Sequence, residues 1–257
     1  IVFCGLAALI VFRRSGHFYR ALAAAICVAA AAREFAADRP FLWTFLFLAL
    51  TILILDSRNR LWLLPPIFLL WANCHGGFFL GWVAVAAYGV ESLLRLVRRK
   101  ALPHDRVFWI SAVAAVLISG VNPNGFRILQ VLLFYRQSFL TQRLLEWGRP
   151  PLWPPSVFSL LLVGAAAVLV WQRRRVSAAD ALLFLAFAVA AVTARRNTVL
   201  IGWIAPVELF SYLPEARRQA PAWTPVAACL LLIGALFTGA FQFRADDWRW
   251  PAGAADF

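Results

Sequence analysis

FLWTFLFLALTILILDSRNRLWLLPPIFLLWANCHGGFFLGWVAVAAYGVESLL, residues 41–94, is the stretch whose reading decides the fold. Three apolar blocks, 41–55, 61–72 and 78–94, are separated by only two short polar breaks, Asp56-Ser57-Arg58-Asn59-Arg60 and Asn73-Cys74-His75-Gly76-Gly77. Apolar runs of that length point to helices rather than strands. No apolar/polar alternation of the kind that marks a half-buried strand is present. The longest block approaches the roughly 20 residues that a helix needs to cross a bilayer core.

The pattern extends outward in both directions. Hydrophobic residues form 63% of the chain, charged residues 14%, and the mean hydropathy is +0.76. A soluble domain carries about a quarter charged residues. The expectation is an all-α, polytopic transmembrane helical bundle with about ten spans: 1–12, 21–32, 41–55, 61–72, 78–94, 107–120, 157–171, 178–192, 198–213 and 223–241. Spans 21–32 and 61–72 are short, so either flanking residues complete them or the loops that follow dip below the headgroups. Residues 1–241 are read as the transmembrane domain and 242–257 as the start of an extracytoplasmic soluble region. The chain opens inside an apolar run and contains no Met, so an N-terminal portion is expected to precede it. Residues 1–12 lack the charged region and the cleavage site of a signal peptide.

Charge settles the orientation. Net charge is +13. The connections 13–20, 56–60, 95–106, 172–177 and 214–222 carry +3, +1, +4, +3 and +1. Those at 33–40, 73–77, 121–156, 193–197 and 242–257 carry 0, 0, +3, +2 and −1. By the positive-inside rule the first set is cytoplasmic. The basic residues punctuate apolar blocks instead of covering a polar domain, which argues against nucleic acid as a partner and for membrane lipids. Cys4, Cys27, Cys74 and Cys229 have no paired spacing, and three of them read as small core hydrophobes.

The outer set of loops holds the polar residues with chemical potential. Glu34, Asp38 and Arg39-Pro40 come first, then Asn73 and His75, then Asn122-Pro123-Asn124-Gly125. Arg127 opens the segment 126–149, which reads as an amphipathic interfacial helix and ends at Glu146-Trp147. Arg195-Arg196-Asn197 closes the set. Several of these have a plainer reading. Asn73 can cap the next helix, Arg195 and Arg196 can serve a helix C-terminus, and Glu146 can be an ion-pair partner of Arg143 or Arg149. Glu91 and Arg95 have helical-pair spacing, Ser177 and Asp180 have helix-start spacing, and Glu208 is near enough to the inner interface to snorkel.

Arg-Pro opening a span, PPIFLLWANCHGGFFLGW, NPNG, EW and RRN in this order resemble bacterial multi-span proteins grouped with the GT-C glycosyltransferases. The resemblance covers most of residues 33–257, and WANCHGGF is its most specific part. It implies a multi-pass enzyme of the bacterial cytoplasmic membrane that transfers a sugar from a polyprenyl-phosphate carrier to an acceptor on the extracytoplasmic face. Asp38, His75, Glu146 and Glu34 are then the catalytic candidates. Arg39, Asn73, Asn122, Arg127, Trp147, Arg195, Arg196 and Asn197 are the substrate-binding ones, and Trp43 is a second apolar platform. No metal ligand set or cofactor is indicated, although a divalent ion is compatible with the chemistry. A transporter or flippase of a lipid-linked or anionic solute and a non-catalytic envelope scaffold are the competing readings.

Overall fold

A computed structural model describes residues 1–33, 41–100, 102–130, 134 and 145–214. Every regular element among them is helical. Among the described residues these α-helices follow in chain order: α1 Val2–Ser15, α2 Phe18–Ala32, α3 Leu42–Ser57, α4 Leu64–Cys74, α5 Phe79–Val97, α6 Asp105–Ile118, α7 Val157–Trp171, α8 Ala178–Thr193 and α9 Thr198–Tyr212. Each of the first nine expected spans is a helix. Residues 34–40 (with Glu34, Asp38 and Arg39), most of the expected interfacial segment, the span 223–241 and the tail from 242 lie outside the described residues.

Flanking residues lengthen the two short helices, to Phe18–Ala32 and Leu61–Cys74. The helix at 21–32 begins three residues earlier, at Phe18. Pro65-Pro66 does not interrupt α4, because both prolines sit in its first turn, where a missing N–H leaves nothing unpaired. A tight turn at Leu61–Leu63 leads into that helix, and a second at Gly76–Phe78 leads into α5. Together Gly76–Val97 forms a 22-residue helical stretch, the one among the described residues long and apolar enough to cross a membrane by length and composition. The apolar helices Phe18–Ala32, Leu42–Ser57, Leu61–Cys74, Val157–Trp171 and Ala178–Thr193 are shorter.

Helix ends are set by local chemistry. Ser156 and Ser159 form a reciprocal capping box at the start of α7, and Ser177 accepts the Asp180 amide at the start of α8. α1 ends on Gly16 at φ +70°, whose amide reaches Phe12 O. α3 ends on Arg58 at φ +52°, a left-handed conformation that costs a non-glycine residue about 1 kcal/mol. Its guanidinium pairs with Glu91 at 2.9 Å.

At the centre stands α9, with every residue from Thr198 to Glu208 buried. It packs against α1, α2, α7 and α8, while α3 joins α1 to α4 and α5. Gly202 allows α9 to approach α2 closely: a Cβ there would lie 2.7 Å from Ala31 Cβ. Small side chains fill the interior, including Ala24, Ala49, Ala84, Ala115, Ala165, Ala179 and Ala191, beside the large rings of Phe68, Trp71 and Trp203. The lateral surface is the reverse. Ile110, Leu117, Leu160, Val163 and Val170 are each more than 60% exposed, and the exposed stripes of α7 and, beyond Arg106, of α6 are apolar.

Because successive helices alternate in direction, their connections collect at two opposite ends. Helix C-termini at Ser15, Ser57, Val97, Trp171 and Tyr212 share one end, and those at Ala32, Cys74, Ile118 and Thr193 share the other.

Candidate functional site

His75 is the hub of the second end. It is the C-cap of α4 and the N-cap of the Gly76–Phe78 turn, in extended backbone conformation. The Gly77 amide donates to His75 Nδ1 at 3.1 Å, so that nitrogen carries no proton. The Thr44 hydroxyl, 2.7 Å away, must therefore donate to the same atom. Thr44 Oγ1 in turn accepts from the buried Trp71 Nε1 at 3.2 Å. The chain Trp71 to Thr44 to His75 fixes the neutral Nε2–H tautomer. Burial first, and then the positive charge of Arg196, hold the His75 imidazole below its ordinary pKa. Only glycine fits at position 77, since a Cβ would meet Thr44 Oγ1 at 2.3 Å. Capping thus falls to His75 and not to Asn73.

Asn73 instead ties two loops together. Its side-chain amide donates to Leu69 O at 2.8 Å and to Val121 O at 2.9 Å. Asn122 organises the Asn-Pro-Asn-Gly turn, donating to Ser119 O and Gly125 O and accepting from the Asn124 amide. Gly125 takes φ +53° in that turn. Arg127 lies at the end of the turn Gly125–Arg127 with its side chain exposed. Asn197 donates to Ala190 O at 2.9 Å, closing the end of α8. The three asparagines expected to bind substrate therefore spend their amides on backbone carbonyls, holding the loops in place.

Arg195 and Arg196 lie in the turn Arg195–Asn197 between α8 and α9. The Arg195 amide donates to Gly148 O at 2.8 Å, which brings the turn Leu145–Trp147 alongside. The Arg196 guanidinium lies 4.3 Å from the centroid of the Trp147 ring, a cation–π geometry. Glu146 is half-buried in the same turn. The structure thus brings His75, Arg196, Trp147 and Glu146 to one end, with Asn73, Asn122, Asn197 and Arg127 in the loops around them. Trp43, half exposed, stacks on Phe47 at 6.0 Å. Among the described residues, no three His, Cys, Asp or Glu side chains are grouped to hold a metal ion.

Sequence reasoning missed Thr44, which looks like an ordinary residue of an apolar helix. It also missed a charged cluster at the opposite end. Arg14 donates from Nε to Asp56 at 2.8 Å and from Nη2 to Asp180 at 2.9 Å, and its Nη1 lies 3.5 Å from Glu208. Tyr212 donates to the second Asp180 oxygen. Beside this group, Glu91 pairs with Arg58 and Arg95, and Arg95 with Asp105 at 3.0 Å. Glu91 also accepts the Ala179 amide at the start of α8, a position the helix dipole favours for a carboxylate. The pairs Glu91–Arg95 and Ser177–Asp180 form as their spacing predicts, but each belongs to a larger network. Removing Arg14 would leave the carboxylates of Asp56 and Asp180 without their guanidinium and cost about 3–5 kcal/mol. The available signal was positional: Arg14, Asp56, Glu91, Asp180 and Glu208 all fall near the same ends of alternating spans. This network borders a cavity of about 290 Å³.

Compared with known proteins, the chain matches no family model, no curated protein and no solved structure.

Proposed function

We propose that this chain is a multi-pass membrane protein of the bacterial cytoplasmic membrane, and that its His75 end transfers a sugar from a polyprenyl-phosphate carrier, as in GT-C glycosyltransferases. The membrane reading is supported by the inverted surface. Soluble monomers rarely expose contiguous apolar patches of more than a few hundred Å², whereas here the exposed faces of α7 and, beyond Arg106, of α6 are apolar and the Arg14–Asp180 pair sits inside. Helices of 14 to 16 residues such as α1, α2 and α8 rise about 21–24 Å, so turns at their ends complete the crossing of a roughly 30 Å core.

One observation carries the functional reading: four sequence-distant polar motifs, at 73–77, 122–125, 146–147 and 195–197, meet at one end of the bundle. The tautomer of His75 assigns its part. Nδ1 is occupied by two donors, so the imidazole offers Nε2–H to an acceptor and does not serve as a base. It and the Arg196 guanidinium together suit the oxygens of a lipid phosphate. Trp147, already supporting Arg196, provides an apolar platform for the sugar or the first prenyl unit. Proton removal falls to a carboxylate, with Glu146 at this end and Glu34 and Asp38 as the alternatives. The acceptor hydroxyl gives its proton to that carboxylate, its oxygen bonds to the sugar's anomeric carbon, and the bond to phosphate breaks, releasing polyprenyl phosphate.

Transfer of radiolabelled sugar from polyprenyl-phosphate donors, in proteoliposomes, tests the reading. Expected is transfer by the wild type and a loss of about 100-fold or more in Arg196→Gln and His75→Ala. Absence of transfer with every donor by a protein of full helix content refutes it.

A further inference from the structure

The cavity at the Asp180 end is not used by the proposed transfer chemistry. It lies among α1, α3, α5, α8 and α9 and is bordered by Arg14, Asp56, Tyr88, Glu91, Asp180 and Ser211. Three observations describe what would fit there.

The first is charge. The network holds three guanidiniums, Arg14, Arg58 and Arg95, against five carboxylates, Asp56, Glu91, Asp105, Asp180 and Glu208. Of these, three carboxylates, Asp56, Glu91 and Asp180, and two guanidiniums, Arg14 and Arg58, line the cavity itself, and both arginines are already engaged by carboxylates. An anion entering the cavity would therefore face carboxylate oxygens at its wall and guanidiniums already paired. The second is a pair of hydroxyls without partners. The Tyr88 hydroxyl and Ser211 Oγ are buried atoms without a hydrogen-bond partner, and both residues line the cavity. Tyr88 is only 6% exposed, and leaving such a hydroxyl unpaired is costly. The unpaired Arg14 Nη1 and Glu208 Oε2, by contrast, face each other at 3.5 Å and are explained by that contact. The third is size. A bare metal ion replaces about one water, roughly 30 Å³, an order of magnitude below the 290 Å³ present. That volume sits at the lower edge of small-molecule sites, which begin near 300 Å³.

We propose that this cavity binds a small organic ammonium ion, whose N–H groups donate to the Tyr88 and Ser211 hydroxyls and whose charge offsets the surplus of Asp56, Glu91 and Asp180. The rings of Tyr88 and Tyr212, which both line the cavity, supply apolar surface for an alkyl group that an inorganic cation lacks. The site stands independently of sugar transfer, because it uses none of the residues at the His75 end.

Calorimetric titration and thermal melting of the purified protein with ethylammonium chloride test the proposal. Potassium chloride and sodium phosphate at matched ionic strength are the comparison arms. Expected is saturable ethylammonium binding with a raised melting point that potassium does not reproduce. Tyr88→Phe and Ser211→Ala should each weaken binding about tenfold or more, the loss of one hydrogen bond to a charged group, while helix content is retained. The proposal is overturned by any of four results. These are no saturable binding to the folded wild type, an equal potassium effect, preferential phosphate binding, or undiminished affinity in folded Tyr88→Phe.

Discussion

Replacing Thr44 by Val keeps the branched shape of the side chain and removes only the hydroxyl through which Trp71 and His75 communicate. Two hydrogen bonds vanish, Trp71 Nε1 to Thr44 at 3.2 Å and Thr44 to His75 Nδ1 at 2.7 Å. His75 keeps its Gly77 donor, but Trp71 is fully buried, so its N–H is left with no partner. Side-chain hydrogen bonds inside membrane proteins average about 0.6 kcal/mol, which puts the two lost bonds near 1 kcal/mol. Stranding a buried donor adds about 1–3 kcal/mol. The total is roughly 2–4 kcal/mol, a fall in melting point of at least about 4 °C for a chain of this size. Thr44→Ser is the control, since it keeps the hydroxyl and loses one methyl group, worth about 1 kcal/mol. The assay is circular dichroism melting of the wild type and both variants in the same detergent. If Thr44→Val melts no lower than Thr44→Ser, the hydroxyl is not the hub that the geometry makes it.

Two further outcomes follow from the same coordinates. The folded state holds His75 below its ordinary pKa of 6.5, so the unfolded chain binds the proton more readily; stability is full above about pH 6.5 and is lost as pH falls from there through the lower folded value. His75→Asn keeps an acceptor for the Gly77 amide and removes the titration, so a pH series from 8 to 5 should show a steeper loss in the wild type, and parallel curves would exclude the effect. At the α2–α9 contact, Gly202→Ala would drive a methyl to 2.7 Å from Ala31 Cβ and destabilise by about 1–3 kcal/mol. The double variant Gly202→Ala, Ala31→Gly should recover part of that loss in melting experiments, because the added methyl then occupies the vacated space, and no recovery would contradict the close approach.

Some of this protein was fixed by sequence alone. Apolar blocks such as 41–55 and 157–171 leave no option but helices, because their length and lack of alternation suit no strand. Local spacings carried Ser177–Asp180 and Glu91–Arg95, since partners three or four residues apart on a helix meet whatever the rest of the chain does. The polar loop motifs were also legible, Asn-Pro-Asn-Gly as a turn and Asn73 to Gly77 as a break. What the spacing could not carry was which loops meet and what each side chain does there. Asn73, expected to cap the next helix, spans to Val121, and the cap is His75 itself. Thr44 is 31 residues from His75, and Arg14 is 166 from Asp180. Such partners are chosen by the packing of α3 against α5 and of α1 and α8 around α9. A linear pattern records which face of a helix is apolar, but the neighbour that face meets, and hence which buried donor finds which acceptor, exists only once the helices have packed.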